Sequence, residues 1–145
     1  MCMETAIYLC PALWRDLLPR DVTAPQEPKT LGRRRWDLLA LTPDGLSAGG
    51  RAECLLLLAP GDPIRLEGIR SERVVTYGLS PRDSLTLSSL TEPVLCVQRA
   101  LPRSDGLVIE PQEFPLPALP GPAEELLPLL GLRLLHMPLD TALRL

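Results

Sequence analysis

Short apolar runs recur along the chain, and each is closed by Pro, Gly or Asp. Four of them, at residues 5–10, 36–41, 54–59 and 73–77, have the length of β-strands. The runs at 36–41 and 54–59 lack alternation, which is typical of strands that are covered on both faces, as in a parallel sheet. A helix stays open as an alternative for the leucine-only run. The pattern predicts a mainly parallel sheet in this half of the chain.

The second half has a different pattern. Residues 84–88 alternate polar and apolar, which indicates a half-buried strand. Residues 94–101 and 107–114 flank a turn that contains Asp105 and Gly106, and an Asp-Gly pair favours a tight hairpin. After the Pro-rich linker at 115–122, the stretch that starts at Ala123 predicts a helix with one broad leucine face, which ends at Pro138. Residues 139–145 are expected to add a further turn.

The remaining segments are short. Residues 11–18 suggest a helical turn, and residues 64–69 suggest a short helix. Residues 19–35 and 42–51 are rich in Pro, Gly and polar side chains, so both are predicted as loops. The predicted architecture is a small α/β fold of two or three layers in a single domain over residues 1–145. Its mainly parallel sheet is extended by an antiparallel hairpin and accompanied by a C-terminal helix.

Composition narrows the range of functions. Leu supplies 33 of the 145 residues, aromatic residues only 3%, and the formal net charge is −3. This balance lacks the basic field that nucleic-acid binding usually needs, so no nucleic-acid partner is expected. The run Arg33, Arg34 and Arg35 is the local exception. These arginines could grip a phosphate, but our interpretation is a solvated segment that leads into the next strand.

The four cysteines, Cys2, Cys10, Cys54 and Cys96, show no Cys-x-x-Cys spacing. Three of them lie in or beside apolar runs, where a free Cys behaves as a small hydrophobic residue. No apolar stretch approaches the roughly 18 residues that a membrane-spanning helix needs, and the first residues lack the basic region of a secretory signal. We therefore expect a cytoplasmic protein with no membrane partner.

The motifs of several enzyme classes are missing from the sequence. Lys29 is the only lysine and has no glycine-rich loop before it, which excludes a phosphate-binding P-loop. His136 is the only histidine and lies beside apolar neighbours, so we interpret it as a packed residue rather than a catalytic base. Dispersed Cys and a single His offer no zinc site, and no metal or cofactor is expected.

The segment from Cys54 to Leu116 resembles part of the central domain of the Mur ligases. It is also similar to a small, Mur-ligase-like bacterial protein type. Gly61-Asp62-Pro63 stands where that family has an acidic turn after a strand. The stretch from Arg73 to Ser80 (RVVTYGLS) matches the family's next strand and its closing glycine. The following strands stand where the family's chain turns antiparallel. The resemblance covers less than half of the chain.

The resemblance implies a scaffold without the family's reaction. The P-loop is absent, only Asp62 remains of the acidic turn, and Lys29 cannot serve as the modified, metal-bridging lysine. What the resemblance implies is a ligand edge at the carboxyl ends of the strands, where open α/β sheets bind their ligands. The residues expected at that edge are Asp62, Tyr77, Gly78, Ser80, Arg82 and Asp83.

Three functions follow as hypotheses. The first is a non-catalytic, Mur-ligase-like binding or regulatory module. The second is a protein-interaction domain, or a homo-oligomer, that uses the leucine face of the C-terminal helix and the Pro-rich stretch. The third is a small enzyme that uses carboxylates such as Asp105, Glu110 and Glu113, or the thiols of Cys54 and Cys96. The identity of a partner stays open.

Overall fold

The computed structural model describes residues 4–61 and 68–145. Among these residues, eight strands form one sheet in the order β10-β7-β6-β5-β4-β3-β1-β2, and β8 and β9 pair separately. The strands are β1 (Thr5–Tyr8), β2 (Val22–Thr23), β3 (Arg35–Leu41), β4 (Ala52–Pro60), β5 (Ile69–Tyr77), β6 (Leu85–Leu87), β7 (Val94–Val97), β8 (Leu101–Pro102), β9 (Val108–Ile109) and β10 (Gln112–Pro115). The helices are α1 (Pro28–Leu31), α2 (Pro43–Ala48), α3 (Ala123–His136) and α4 (Leu139–Ala142), with a 3₁₀ helix at Ala12–Leu17.

The sheet is parallel from β2 through β6 and antiparallel from β6 through β7 to β10. The predicted fold class, a mainly parallel sheet extended by antiparallel strands and a C-terminal helix, is confirmed. The unalternating runs became the central strands β3 and β4, which pair along most of their length. Their side chains are buried on both faces of the sheet, as the lack of alternation predicted.

Two apolar clusters cover the sheet, one on each face. The first holds Leu38 and Leu58 together with the leucines of α3 and Trp14 of the 3₁₀ helix. The second holds Leu39 and Leu57 together with residues of α1 and α2. Because helices lie against both faces, the fold has three layers, the larger of the two architectures expected.

Helix α3 differs from the expected single leucine face. Eleven of its 14 residues are buried, including Pro128 and Arg133. The sheet covers one side of the helix, and the 3₁₀ helix, the β8–β9 pair and the C-terminal segment cover the rest. The prediction of a single apolar face was therefore too narrow. The segments on the outer side of the helix bury the side that was expected to face solvent.

A buried arginine holds the outer cover of α3 in place. The Arg133 guanidinium donates to the carbonyl oxygens of Leu17 (2.6 Å), Ala142 (2.8 Å) and Arg144 (2.9 Å). It thereby ties α3 to the 3₁₀ helix and to the segment around α4. Burial lowers the pKa of Arg133, and its hydrogen bonds to carbonyl oxygens offset part of the cost of removing the charge from water.

Two predicted loops contain regular structure. Residues 42–51 include α2, which begins because the Thr42 hydroxyl accepts a hydrogen bond from the Gly45 amide (3.0 Å) and Pro43 occupies the first helical turn. Residues 19–35 include the short strand β2 and the four-residue helix α1. The loop predictions were wrong there because Pro and Gly were taken only as breakers. Proline is also a good first residue of a helix.

The predicted hairpin forms, in two parts. Strand β7 pairs with β10 in the main sheet, and β8 pairs with β9 beyond it, so the tip leaves the sheet. Gly106 has a φ of +86° at the turn, and the Asp105 carboxylate accepts a hydrogen bond from the Leu107 amide (2.9 Å). That bond is the main reason why the pKa of Asp105 is lowered.

The turn at residues 11–18, the helix end before Pro138 and the further turn after it are all observed. Of the predicted helix at 64–69, residues 64–67 lie outside the described residues, and Ile69 begins β5. No helix among the described residues is both long and apolar enough to cross a membrane.

Replacing the cap of α2 tests why this helix forms. Thr42 is 3% exposed, and its hydroxyl also lies 3.0 Å from the carbonyl oxygens of Tyr8 and Leu9 at the end of β1. We expect Thr42→Ala to lower the free energy of unfolding by about 1–2 kcal/mol in urea denaturation, because the Gly45 amide loses its acceptor. Ser47→Ala, at an exposed position of the same helix, is the control and should change stability by less than about 0.5 kcal/mol. A Thr42→Ala variant as stable as this control would show that the cap does not matter.

Candidate functional site

The edge expected to bind a ligand lies where β4 and β5 end. Gly61 follows β4 and Gly78 follows β5, and the two are neighbours, since the Gly61 amide donates to the Tyr77 carbonyl (2.9 Å). The Gly78 amide donates to the Leu85 carbonyl of β6 (3.1 Å). Asp62, the first residue of the expected site, lies outside the described residues. Both turns thus share the carboxyl edge of the sheet.

The Asp83 carboxylate fills the space between the two glycines. It is only 5% exposed, and its Oδ2 accepts a hydrogen bond from the Ser80 amide (3.1 Å). A Cβ atom on either Gly61 or Gly78 would overlap this carboxylate, so a larger residue at either position would have to displace the Asp83 side chain. The Asp83 side chain therefore occupies the space beside Gly61 and Gly78 where a ligand was expected.

The other expected site residues are also held by the chain. The Tyr77 hydroxyl donates to the Leu41 carbonyl (2.6 Å), and burial raises the pKa of Tyr77 well above its usual value. The Ser80 hydroxyl accepts from the Arg82 amide (3.2 Å), and the Arg82 carbonyl accepts from the Arg99 guanidinium (2.7 Å). The structure brings these residues together. The side chains of Tyr77 and Asp83 are engaged within the fold, whereas the Arg82 side chain is exposed and its guanidinium has no partner among the described residues.

The opposite edge of the sheet carries a cleft. Its volume is about 770 Å³, and it lies at the amino ends of β3, β4 and β5. Five arginines and one carboxylate line it: Arg33, Arg34, Arg35, Arg51, Arg70 and Glu53. We call this set the arginine cleft. Because the strands are parallel, their amino ends meet here and gather arginines that are distant in sequence.

In β3 and β4, the alternation of side chains between the two faces of the sheet shifts by one residue near this edge. Trp36 and Cys54 pack in the second apolar cluster, whereas Leu38 and Leu56, two residues further along, pack in the first. The pairs Trp36–Cys54 and Leu38–Leu56 are in register, so both strands slip at the same level. Residues two apart on a regular strand would share a face. Because of this shift, the residues at the amino ends of these strands lie on the opposite face from the one that regular alternation would give. A β-bulge changes the direction of side chains in a similar way.

Two of the cleft arginines already have partners. The Arg34 guanidinium lies 3.0 Å from the Glu4 carboxylate and 5.5 Å from the centre of the Trp36 ring. Arg35 lies 3.2 Å from the Glu72 carboxylate. Both pairs are exposed, so each contributes little to stability. Within residues 4–61 and 68–145, Arg33, Arg51 and Arg70 form no ion pair.

Sequence reasoning found only part of this cleft. It noted Arg33, Arg34 and Arg35 and interpreted them as a solvated lead-in to a strand. They do precede and enter β3, but they also meet Arg51, just before β4, and Arg70, near the start of β5. The signal was present in the sequence, because a parallel sheet brings the starts of successive strands to one edge.

His136 contacts an aspartate and a serine, but the serine hydroxyl donates its hydrogen bond to a backbone carbonyl. Its Nε2 lies 2.9 Å from the Asp21 carboxylate, and its Nδ1 lies 3.4 Å from the Ser104 hydroxyl. That hydroxyl donates to the Leu135 carbonyl (3.0 Å), and the Ser104 amide donates to the same oxygen. Ser104 thus caps the end of α3, and the cluster joins the helix to the segment before β2.

Three of the four cysteines lie among the described residues, and Cys2 lies outside them. Cys10, Cys54 and Cys96 are free and buried. Burial raises the pKa of Cys54 to about 11, which keeps it protonated and unreactive near neutral pH. In the part of the chain that the structure describes, no group of three or more His, Cys, Asp or Glu side chains is placed to hold a metal ion.

No protein-family model matches the chain, and no similar curated protein or solved structure was found. The resemblance to the Mur ligases therefore stays a prediction from the residues of this sequence.

The glycine requirement at the carboxyl edge can be tested by a double-mutant cycle. Gly61→Ala should lower the free energy of unfolding by about 2 kcal/mol, because its Cβ atom would overlap the Asp83 carboxylate. In an Asp83→Ala background the same change should cost much less, since the obstructing carboxylate is gone. Gly121→Ala is the control, because a Cβ atom there meets nothing within 4 Å. Equal costs of Gly61→Ala in both backgrounds would rule out this explanation.

The thiol of Cys54 should react slowly in the folded protein. At pH 8 only a small fraction is thiolate when the pKa is about 11, and burial adds a steric barrier. Maleimide labelling followed by peptide mapping should show modification of Cys54 many times slower than in the urea-unfolded chain, which serves as the control. Labelling at the same rate in both states would restore a thiol-based activity as a candidate.

Proposed function

We propose that this chain is a non-catalytic binding module that takes a small anionic ligand in the arginine cleft. The observation that carries the proposal is the cleft that five arginines line at the starts of three parallel strands, with Glu53 as the one carboxylate-bearing residue in its described lining. Guanidinium groups bind carboxylates and phosphates through pairs of parallel hydrogen bonds. Three of them, Arg33, Arg51 and Arg70, have no carboxylate partner among the described residues.

The size of the opening and the charge of the chain favour a small ligand. A volume of about 770 Å³ lies within the range of small-molecule sites, roughly 300–1,000 Å³. The whole chain carries a formal charge of −3. The positive charge is therefore local, and the extended basic surface that nucleic acids prefer is not supported.

We further propose that the sheet is a Mur-ligase-like scaffold that does not carry out the ligase reaction. Parallel β4 and β5 with Gly61 and Gly78 at one edge support it, as the resemblance implies. The missing P-loop and the isolated Lys29 argue against ATP-driven ligation. We place the ligand at the amino edge rather than at Tyr77, Gly78, Ser80, Arg82 and Asp83. The Tyr77 and Asp83 side chains are engaged within the chain, and Arg82 offers one guanidinium where the cleft offers five arginines.

The interaction hypothesis has less support. The leucines of α3 that were expected to engage a partner are buried inside this chain, and exposing them would require part of the fold to open. A reducing compartment such as the bacterial cytoplasm stays our proposed location, and the buried free thiols of Cys10, Cys54 and Cys96 support it.

Titration with inorganic phosphate tests the proposal. We expect amide shifts around Arg51 and Arg70 in two-dimensional NMR spectra, and about tenfold weaker binding in Arg51→Ala, because a hydrogen bond to a charged group is lost. Arg20→Ala is the matched control, since Arg20 is exposed, lies outside the cleft and removes the same charge. A parallel titration with ATP shows which edge binds anions. Shifts confined to Gly61 and Gly78, or an equal effect of both variants, would overturn the amino-edge site.

A further inference from the structure

We propose that the ligand of the arginine cleft carries at least two linked phosphate groups, as in a diphosphate or triphosphate compound. This inference rests on the proposed function above and narrows it to a chemical class. It follows from how far apart the arginines at this edge start, how their charges would repel one another around a single anion and where Glu53 lies among them.

The first step concerns spacing. Arg35, Glu53 and Arg70 are paired positions on β3, β4 and β5. Neighbouring strands lie about 4.8 Å apart, so the backbones of Arg35 and Arg70 are separated by roughly 10 Å. A single phosphate group is only a few ångströms across. It can contact both guanidinium groups only if the two long side chains converge on one point. A chain of phosphates is long enough to contact each guanidinium group near its own strand.

The second step concerns the carboxylate between them. Glu53 occupies the middle position of this register row, and it forms no ion pair with the described residues. An anion centred on the row would face the Glu53 carboxylate and be repelled by it. Two anionic groups on either side of Glu53 lie nearer to the arginines and further from that charge. The carboxylate therefore selects against a single, centred anion.

The third step concerns the hydrogen bonds that the arginines still have to offer. Arg35 uses Nη2 for Glu72, and its other N–H groups are not engaged by the described residues. Among the described residues, the guanidinium groups of Arg33, Arg51 and Arg70 have no ion-pair partner. Each guanidinium can donate two parallel hydrogen bonds to one anionic group. Several guanidinium groups crowded around a single phosphate would repel one another, whereas a diphosphate or triphosphate lets them bind at separate phosphate groups.

The experiment compares inorganic phosphate, pyrophosphate and tripolyphosphate by isothermal titration calorimetry at one ionic strength, with a chelator present. We expect pyrophosphate to bind at least tenfold more tightly than phosphate. Arg70→Ala should weaken pyrophosphate binding about tenfold and reduce the preference for pyrophosphate over phosphate. The affinity of Arg70→Lys should lie between those of the unsubstituted protein and Arg70→Ala, because lysine keeps the charge but cannot donate two parallel hydrogen bonds. Arg20→Ala should leave both affinities unchanged within about twofold.

Glu53→Gln gives the readout specific to this geometry. Removing the central negative charge should strengthen phosphate binding several-fold and pyrophosphate binding less, so the ratio of the two affinities should fall. Urea unfolding of each variant verifies that it folds. A ratio that stays the same or rises would contradict the part assigned to Glu53.

The outcomes separate this inference from the proposed function. Equal affinity for phosphate and pyrophosphate, with both weakened in Arg51→Ala, would overturn the oligophosphate class and leave an anion site. Binding of neither anion, or binding insensitive to Arg51→Ala and Arg70→Ala, would overturn both. Tighter binding of a short single-stranded oligonucleotide than of tripolyphosphate would overturn the small-ligand class and identify a nucleic-acid surface.

Discussion

Burial of the two central strands on both faces is the constraint on which the rest of this structure depends. Strands β3 and β4 present apolar side chains to either side, and neither face can be left to water without losing the main favourable term in folding. Helix α3 and the 3₁₀ helix therefore cover one face, and α1 and α2 cover the other. Parallel pairing fits this cover, because the connection from β3 to the parallel strand β4 crosses a face of the sheet and carries α2.

That parallel arrangement makes the two edges of the sheet different. At the carboxyl edge the chain closes on itself, through Asp83 between two glycines and through Thr42 against the end of β1. At the amino edge the strands begin in solvent and carry exposed arginines. Open α/β sheets generally bind ligands at the carboxyl edge. Here the buried polar side chains of that edge, those of Tyr77 and Asp83, serve the fold, which is why we propose the site at the other edge.

Arginine has two separate roles in this chain. Arg103 and Arg133 are 8% exposed and donate to backbone carbonyls, among them those of Leu134 and Leu17, which fastens the outer layer onto α3. The cleft arginines are exposed, and three of them have no acidic partner among the described residues. The first group offsets its own burial with carbonyl dipoles, whereas Arg33, Arg51 and Arg70 of the second group have guanidinium groups that no carboxylate of the described residues pairs with. Composition alone does not distinguish the two groups.

The amino-acid sequence by itself determined the local elements: the apolar runs of β3 and β4, the Asp105-Gly106 hairpin and a leucine-rich helix that ends before Pro138. These follow from period, turn chemistry and helix-ending residues, all of which act over a few positions. The cap at Thr42 was equally local and was overlooked. Only the tertiary structure decided that α3 is covered on its outer side, that the polar groups around Asp83 face inward, and that Arg51 and Arg70 join Arg33. The physical reason is that each of these depends on segments far apart in sequence, which come together only when the sheet buries both of its faces.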